Sequence, residues 1–191
     1  GKEEVEGFSG AQVIRDLLST HSGEISRHLN GTRIEQRTED QGIIVADYPL
    51  LPVRRRFWEK VLRAVDKAGT AGQLRTQLRI VYEAVRDTAD APLGTVIPGD
   101  FLYDQVSTNM IQTGVLLREI DEIVRKQRDG TDDGTLRSRL CALIFLISKL
   151  SREVGSDLGI RATPDMLADL LVEDLKAGST QLRKRIPELL N

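Results

Sequence analysis

The chain has 191 residues, 27 Lys/Arg against 29 Asp/Glu and a net charge of −2, which excludes a whole-molecule field drawing it onto nucleic acid or lipid. Hydrophobic residues make up 40% and aromatic ones only 4%, so Leu, Ile and Val must build the core through many small contacts. A single cysteine, Cys141, excludes an internal disulfide, and no apolar run reaches the ~18 residues of a membrane span, so a cytoplasmic protein without a membrane partner is expected.

Residues 1–46 read as N-terminal helices and a loop. Gly1 to Gly7 is charged and expected to fray, and a start at Gly1 rather than Met is expected of an excised piece or a tag scar. Ser9 or Gly10 can cap a helix with Val13, Ile14, Leu17 and Leu18 inward. A shorter helix from Glu24 to Leu29 stops at Asn30-Gly31. His21 and His28 lack Cys partners and HExxH spacing, so they read as solvated or cap-forming rather than as metal ligands. Thr32 to Gly42 has no period and reads as a loop. The β-branched run Ile43-Ile44-Val45-Ala46 has no partner strand and reads as an extended segment against helices.

Residues 47–155 form the main helical bundle. Pro49 and Pro52 stiffen the lead-in, and Pro52 can open a helix where its missing N–H costs nothing. Val53, Phe57, Val61 and Val65 recur every four residues beside Trp58 and Leu62, which makes one inward face. Lys67-Ala68-Gly69 closes that helix and Thr70-Ala71-Gly72 turns the chain. A second helix follows, with Leu74, Leu78, Val81, Tyr82 and Val85 inward and Arg75, Arg79 and Arg86 outside. Leu93 to Gly99 is an apolar loop, and Asp100 can cap a short helix. A long helix runs from Ser107 to Gln127. DGTDDG, residues 129–134, has the carboxylates of a calcium loop but no Glu in the bidentate position, and reads as a turn. Thr135 to Val154 is helical and nearly all apolar from Leu140 to Ile147, hence the central buried helix, with Cys141 a buried small hydrophobe.

Residues 156–191 read as a helix-turn-helix. Thr163-Pro164-Asp165 is a compact helix start. Ala177-Gly178-Ser179 is a three-residue turn, and the last helix crowds Arg183, Lys184 and Arg185 on its exposed side.

Several strings carry a resemblance. EISRHLNGTRIEQRTED, the YP-L-P lead-in with its apolar-basic helix, GTAGQLRTQLRI, ATPDMLADLLVEDL and STQLRKRIPELL together resemble the helical region beyond the nucleotide core of BREX-system P-loop ATPases of bacterial phage defence, the BrxC/PglY group. The resemblance runs in patches from about Glu24 to the end. It implies an all-α, multi-helix lid-like bundle ending in a truncated winged helix, whose wing would lie past Asn191. It also implies a parent ATPase that uses ATP and Mg, with the rest of that parent, DNA or other phage-defence subunits as partners. Arg75, and after it Arg79, would reach nucleotide phosphates from a lid helix.

The residues themselves leave alternatives open. Pro52 to Asp90 holds nine Lys/Arg against five Asp/Glu, and Ala91 to Thr135 four against eight. This is either a pair of ordinary solvated faces or a basic surface for phosphate opposite an acidic one. Arg54, Arg55 and Arg56 could grip DNA or a neighbouring subunit, and Arg183, Lys184 and Arg185 could contact phosphates. No GxxxxGK[ST] occurs, so the chain is not expected to bind ATP in the P-loop manner or to be catalytic alone. The competing reading is an all-α protein–protein interaction module with no nucleotide or DNA role, docking through loop residues such as Val96 and Ile97.

Overall fold

The structure, a computed structural model, describes the backbone of residues 2–66 and 70–191 and the side chains of 10–66 and 75–191. Among the described residues it is all-α. The helices are α1 (Lys2–Thr20), α2 (Ser22–Arg27), α3 (Ile44–Asp47), α4 (Pro52–Val65), α5 (Thr70–Asp87), α6 (Phe101–Gln112), α7 (Arg118–Lys126), α8 (Asp132–Ser148), α9 (Pro164–Leu171) and α10 (Thr180–Leu190). No helix of the described residues is long and apolar enough to cross a membrane.

The core forms around α4 and α8. Val53, Phe57, Trp58, Val61 and Leu62 of α4 are buried, as their spacing requires. Trp58 stacks on Phe101 and donates its Nε1–H to Gly99 O at 3.0 Å, so the bulky ring buries without orphaning its donor. Leu136, Leu140, Leu143, Leu146 and Ile147 of α8 meet the same cluster, which also takes in Leu29, Ile34, Leu167, Leu170 and Ile186. Residues of all three sequence segments thus share one interior. A smaller cluster under α1 joins Leu18, Ile25, Ile44, Leu51, Val96 and Leu175. Cys141 is half-buried, and burial raises its thiol pKa.

Several expectations are corrected. Ile44–Asp47 is the short helix α3 rather than an extended segment, with Ile44 buried in the cluster that holds Leu18 and Ile25. The helix expected over 107–127 is two helices. Gly114 stands at φ +78, a left-handed stop, and Leu116 turns back to donate to Met110 O at 3.0 Å. Asp100 does not cap α6 with its side chain but forms a two-bond pair with Arg139 at 2.9 and 3.0 Å. α8 starts earlier than expected, at Asp132, because Thr131 Oγ accepts from Gly134 N. It also ends earlier, at Ser148. The carboxylates of that turn are used locally: Asp129 accepts from Thr131 N, and Asp133 pairs with Arg185.

Thr70, Ala71 and Gly72 lie inside α5 rather than in a turn, and the stop expected at Lys67-Ala68-Gly69 falls outside the described residues. The inward face of α5 also differs from the expected one. Ile80 and Ala84 are fully buried, whereas Leu78 and Tyr82 are 64% and 66% exposed and Val85 is exposed too. Leu74 lies outside the described side chains. α5 packs on α4 and α6 at the edge of the bundle and can bury only a narrow stripe.

The C-terminal pair is not joined by a three-residue turn. Thr163 caps α9 as expected, accepting from Met166 N. Residues 172–179 then separate α9 from α10. This connection bonds to the loop before α6, Val96 N donating to Glu173 O at 2.7 Å and Leu175 N to Gly94 O at 3.0 Å. Val96 and Ile97, expected as exposed docking residues, are fully buried in that loop.

Candidate functional site

Consecutive residues on a helix project about 100° apart, so the three arginines that open α4 meet three different environments. Arg54 stands four residues before Trp58, on the inward face, and is fully buried. Its Nη1 donates to Ile97 O at 2.7 Å and its Nη2 to Asp169 O at 3.2 Å. Burial lowers its pKa to about 10, and Asp100, Glu173 and Asp169 nearby favour the charge that remains. Arg55 pairs with Asp47 at 3.4 Å. Arg56 clamps the 34–40 segment, donating to Ile34 O, Glu35 O and both oxygens of Asp40. The segment expected to be a plain loop is therefore pinned, with Ile34 and Asp40 buried.

The C-terminal cations are similarly occupied. Arg183 joins Asp169 and Asp165, and Arg185 joins Asp133. Lys184 is exposed and forms no ion pair among the described residues. Arg75 and Arg79 are exposed on α5, and Arg79 reaches Gln105 of α6 at 3.4 Å. The five arginines and one lysine offered for nucleic acid thus form no shared surface: one is in the core and four serve internal pairs.

What the structure does bring together is a polar network inside the bundle. Asp169 accepts from Leu29 N at 3.0 Å and from Arg183, while its own carbonyl accepts from Arg54. His28, expected to be solvated or a cap, is the C-cap residue of α2 but is buried beside Asp169 rather than solvated, and bonds Glu24 at 3.3 Å. Its signal in sequence was the Glu24–His28 spacing of four, which places the two side chains over one another on a helix.

This network gives a pH dependence. Burial pushes the His28 imidazole below its ordinary value of 6.5, so it is neutral in the fold and donates Nε2–H to Glu24. That bond, with another from Ser179, holds the Glu24 carboxyl down to about 2 against the opposing effect of burial. Below pH 6.5 the unfolded chain protonates His28 and the folded one resists. Below 4.5 the same holds for Glu24. The unfolded state binds more protons in both windows, so stability falls as pH falls, first through His28 and then toward pH 2 through Glu24. The melting temperature should decline from pH 6.5 downward, and His28→Gln should flatten the first part of that decline, just below pH 6.5. An equally steep decline in that variant would remove His28 as the cause.

Some outward features are apolar. Leu78, Tyr82 and Val85 make an exposed stripe on α5, flanked by Arg75 and Arg79. α6 touches α5 through Gln105–Arg79 and α7 through Tyr103–Asp121 and Ser107–Arg125. On α7, Ile120 and Ile123 are exposed, and Leu117 before it is 61% exposed. Sequence periodicity placed the α5 stripe inward. The clue to the contrary was the second, weaker stripe Ile80–Ala84, with small Ala84 suited to a close helix contact.

No family model, curated protein or solved structure matches this chain. The likeness to BREX-system ATPases therefore rests on the sequence strings alone.

Proposed function

We propose that the chain is a helical transmission module of a BREX-type P-loop phage-defence ATPase, contacting the rest of that protein through the outer face of α5. ATP and Mg belong to the parent's nucleotide core. The observation that carries the docking role is the contiguous apolar stripe Leu78–Tyr82–Val85 left exposed along one helix face, with Leu78 and Tyr82 64% and 66% exposed. Arg75 and Arg79 on the same helix supply cations at its rim, suited to an acidic surface or to nucleotide phosphates brought up by a partner. The internal pairs of Arg183 with Asp165 and Asp169 and of Arg185 with Asp133 disfavour DNA contact through the last helix. The same stripe also favours the competing reading, a protein–protein interaction module with no nucleotide role.

Photo-cross-linking residues placed at Leu78 and Tyr82 of the full-length protein test both readings. Capture of a P-loop core, with a yield that differs between ATP and ADP, is the result expected. Capture of an unrelated protein, indifferent to nucleotide, would favour the plain interaction module. No capture from either position would remove α5 as a docking face. Leu78→Asp should weaken the captured complex by roughly tenfold or more, since covering one leucine contributes about 2 kcal/mol.

A further inference from the structure

Several cations that pack elements together meet a carboxylate, as Arg56, Arg125, Arg139, Arg161 and Arg183 do. In one cleft several cations converge without one. A cleft of about 410 Å³ between the 33–37 segment, the outer side of α4 and the loop after α8 is lined by Arg33, Arg37, Lys60 and Arg63, with no carboxylate in its wall. None of these four forms an ion pair among the described residues.

The fold places them there deliberately enough to constrain what they can do. Arg33 is anchored, its N–H donating to Leu158 O at 2.9 Å and its Nη1 to Gly155 O at 2.7 Å. Arg37 reaches back to Arg33 O and opens the turn closed by Asp40. Lys60 and Arg63 lie three residues apart on α4 and so share one face. The C-terminal dipole of α4 accounts for a cation at Arg63, but not for the three others that converge with it. On the far wall Ser151 and Ser156 hold their hydroxyls 2.6 Å apart, beside the cations and able to turn toward a ligand oxygen.

We propose that this cleft binds a small organic phosphate carrying two or more negative charges. Four cations with no ion pair among the described residues repel one another, and a multiply charged oxyanion is the partner that relieves this while using guanidinium forks and hydroxyls together. The volume lies within the range of small-molecule sites. Ile34, Leu150 and Leu158 form an apolar floor for the organic part. A duplex is disfavoured, because the cations converge on one cleft instead of following a track of phosphates, and the net charge of −2 adds no attractive field. The assignment is independent of the α5 docking role and of any parent ATPase.

Isothermal titration calorimetry on the chain, with inorganic pyrophosphate, a hexose bisphosphate and a short DNA duplex as probes, tests it. Both phosphates should bind saturably, the bisphosphate more tightly, and both more weakly at 0.5 M than at ~0.1 M salt. The double variant Lys60→Ala/Arg63→Ala should lose at least about tenfold in affinity. Its melting temperature should not fall by more than a few degrees, since neither side chain forms a hydrogen bond or ion pair among the described residues and their removal relieves repulsion in the cleft. Arg118→Ala, on exposed α7, should bind as the parent chain does. Absence of saturable phosphate binding, or binding unaffected by the double variant, would overturn the assignment. Duplex binding tighter than either phosphate and lost in the double variant would overturn it too, making the cleft part of a nucleic-acid face.

Discussion

Arg54→Ala should lower the unfolding free energy by about 3–5 kcal/mol and the melting temperature by roughly 10 °C. The guanidinium is fully buried and bridges two backbone carbonyls, Ile97 O and Asp169 O, that lie on different loops and helices. Truncation leaves both acceptors without a donor in a site closed to water, and also leaves a cavity the size of the lost stem. The negative groups Asp100, Glu173 and Asp169 would then lose the central cation that balances them. Arg54→Met separates the two contributions. It fills the volume and removes only the hydrogen bonds and the charge, so it should cost about half as much. Chemical denaturation of the two variants measures the difference. A loss below about 1 kcal/mol for Arg54→Ala would mean that the bridge contributes little beyond what water supplies.

Asp169→Ala should cost about 2–4 kcal/mol, the second largest effect expected of a single replacement. Its carboxylate lies within the bundle and receives two donors of different kinds. One is the N–H of Leu29, a buried leucine held at φ +53, in the left-handed region that a branched side chain rarely adopts. The other is the Arg183 guanidinium, which brings α10 onto α9. Without the carboxylate, the Leu29 N–H is orphaned and the strained backbone there loses what holds it. Asp169→Asn keeps one acceptor for Leu29 but not the charge for Arg183, and should cost roughly half. In a double-mutant cycle, Asp169→Ala with Arg183→Ala should fall short of additivity by about 1 kcal/mol or more. Strict additivity would show that the Asp169–Arg183 pair contributes no coupling, leaving Arg183 to Asp165 and Ser179.

These two residues mark the boundary of what could be read from the chain. The face of α4 was legible because Val53, Phe57 and Val61 repeat at the helical period. The burial of Arg54 was concealed by its chemistry, since three adjacent arginines suggest a solvated cluster. Yet its register four residues before Trp58 already placed it on the inward side. Asp169 sits in an apolar run of α9 and carries no local hint of Leu29, which is 140 residues away. The cation cleft was equally concealed, because Arg33, Lys60 and Ser151 become neighbours only when three separate stretches pack. α5 offered two apolar stripes, and periodicity cannot say which one meets α4.

By itself the sequence determined the local matters: an all-α chain, the inward face of α4, the apolar character of α8 and the Thr163 cap of α9. These depend on spacing and on hydrogen bonds reaching three or four residues. Only the tertiary structure decided which cations are free and which are consumed. A cation's partner is whatever carboxylate or carbonyl the packed chain brings within hydrogen-bond reach, and that is a property of distances between elements rather than of any one of them.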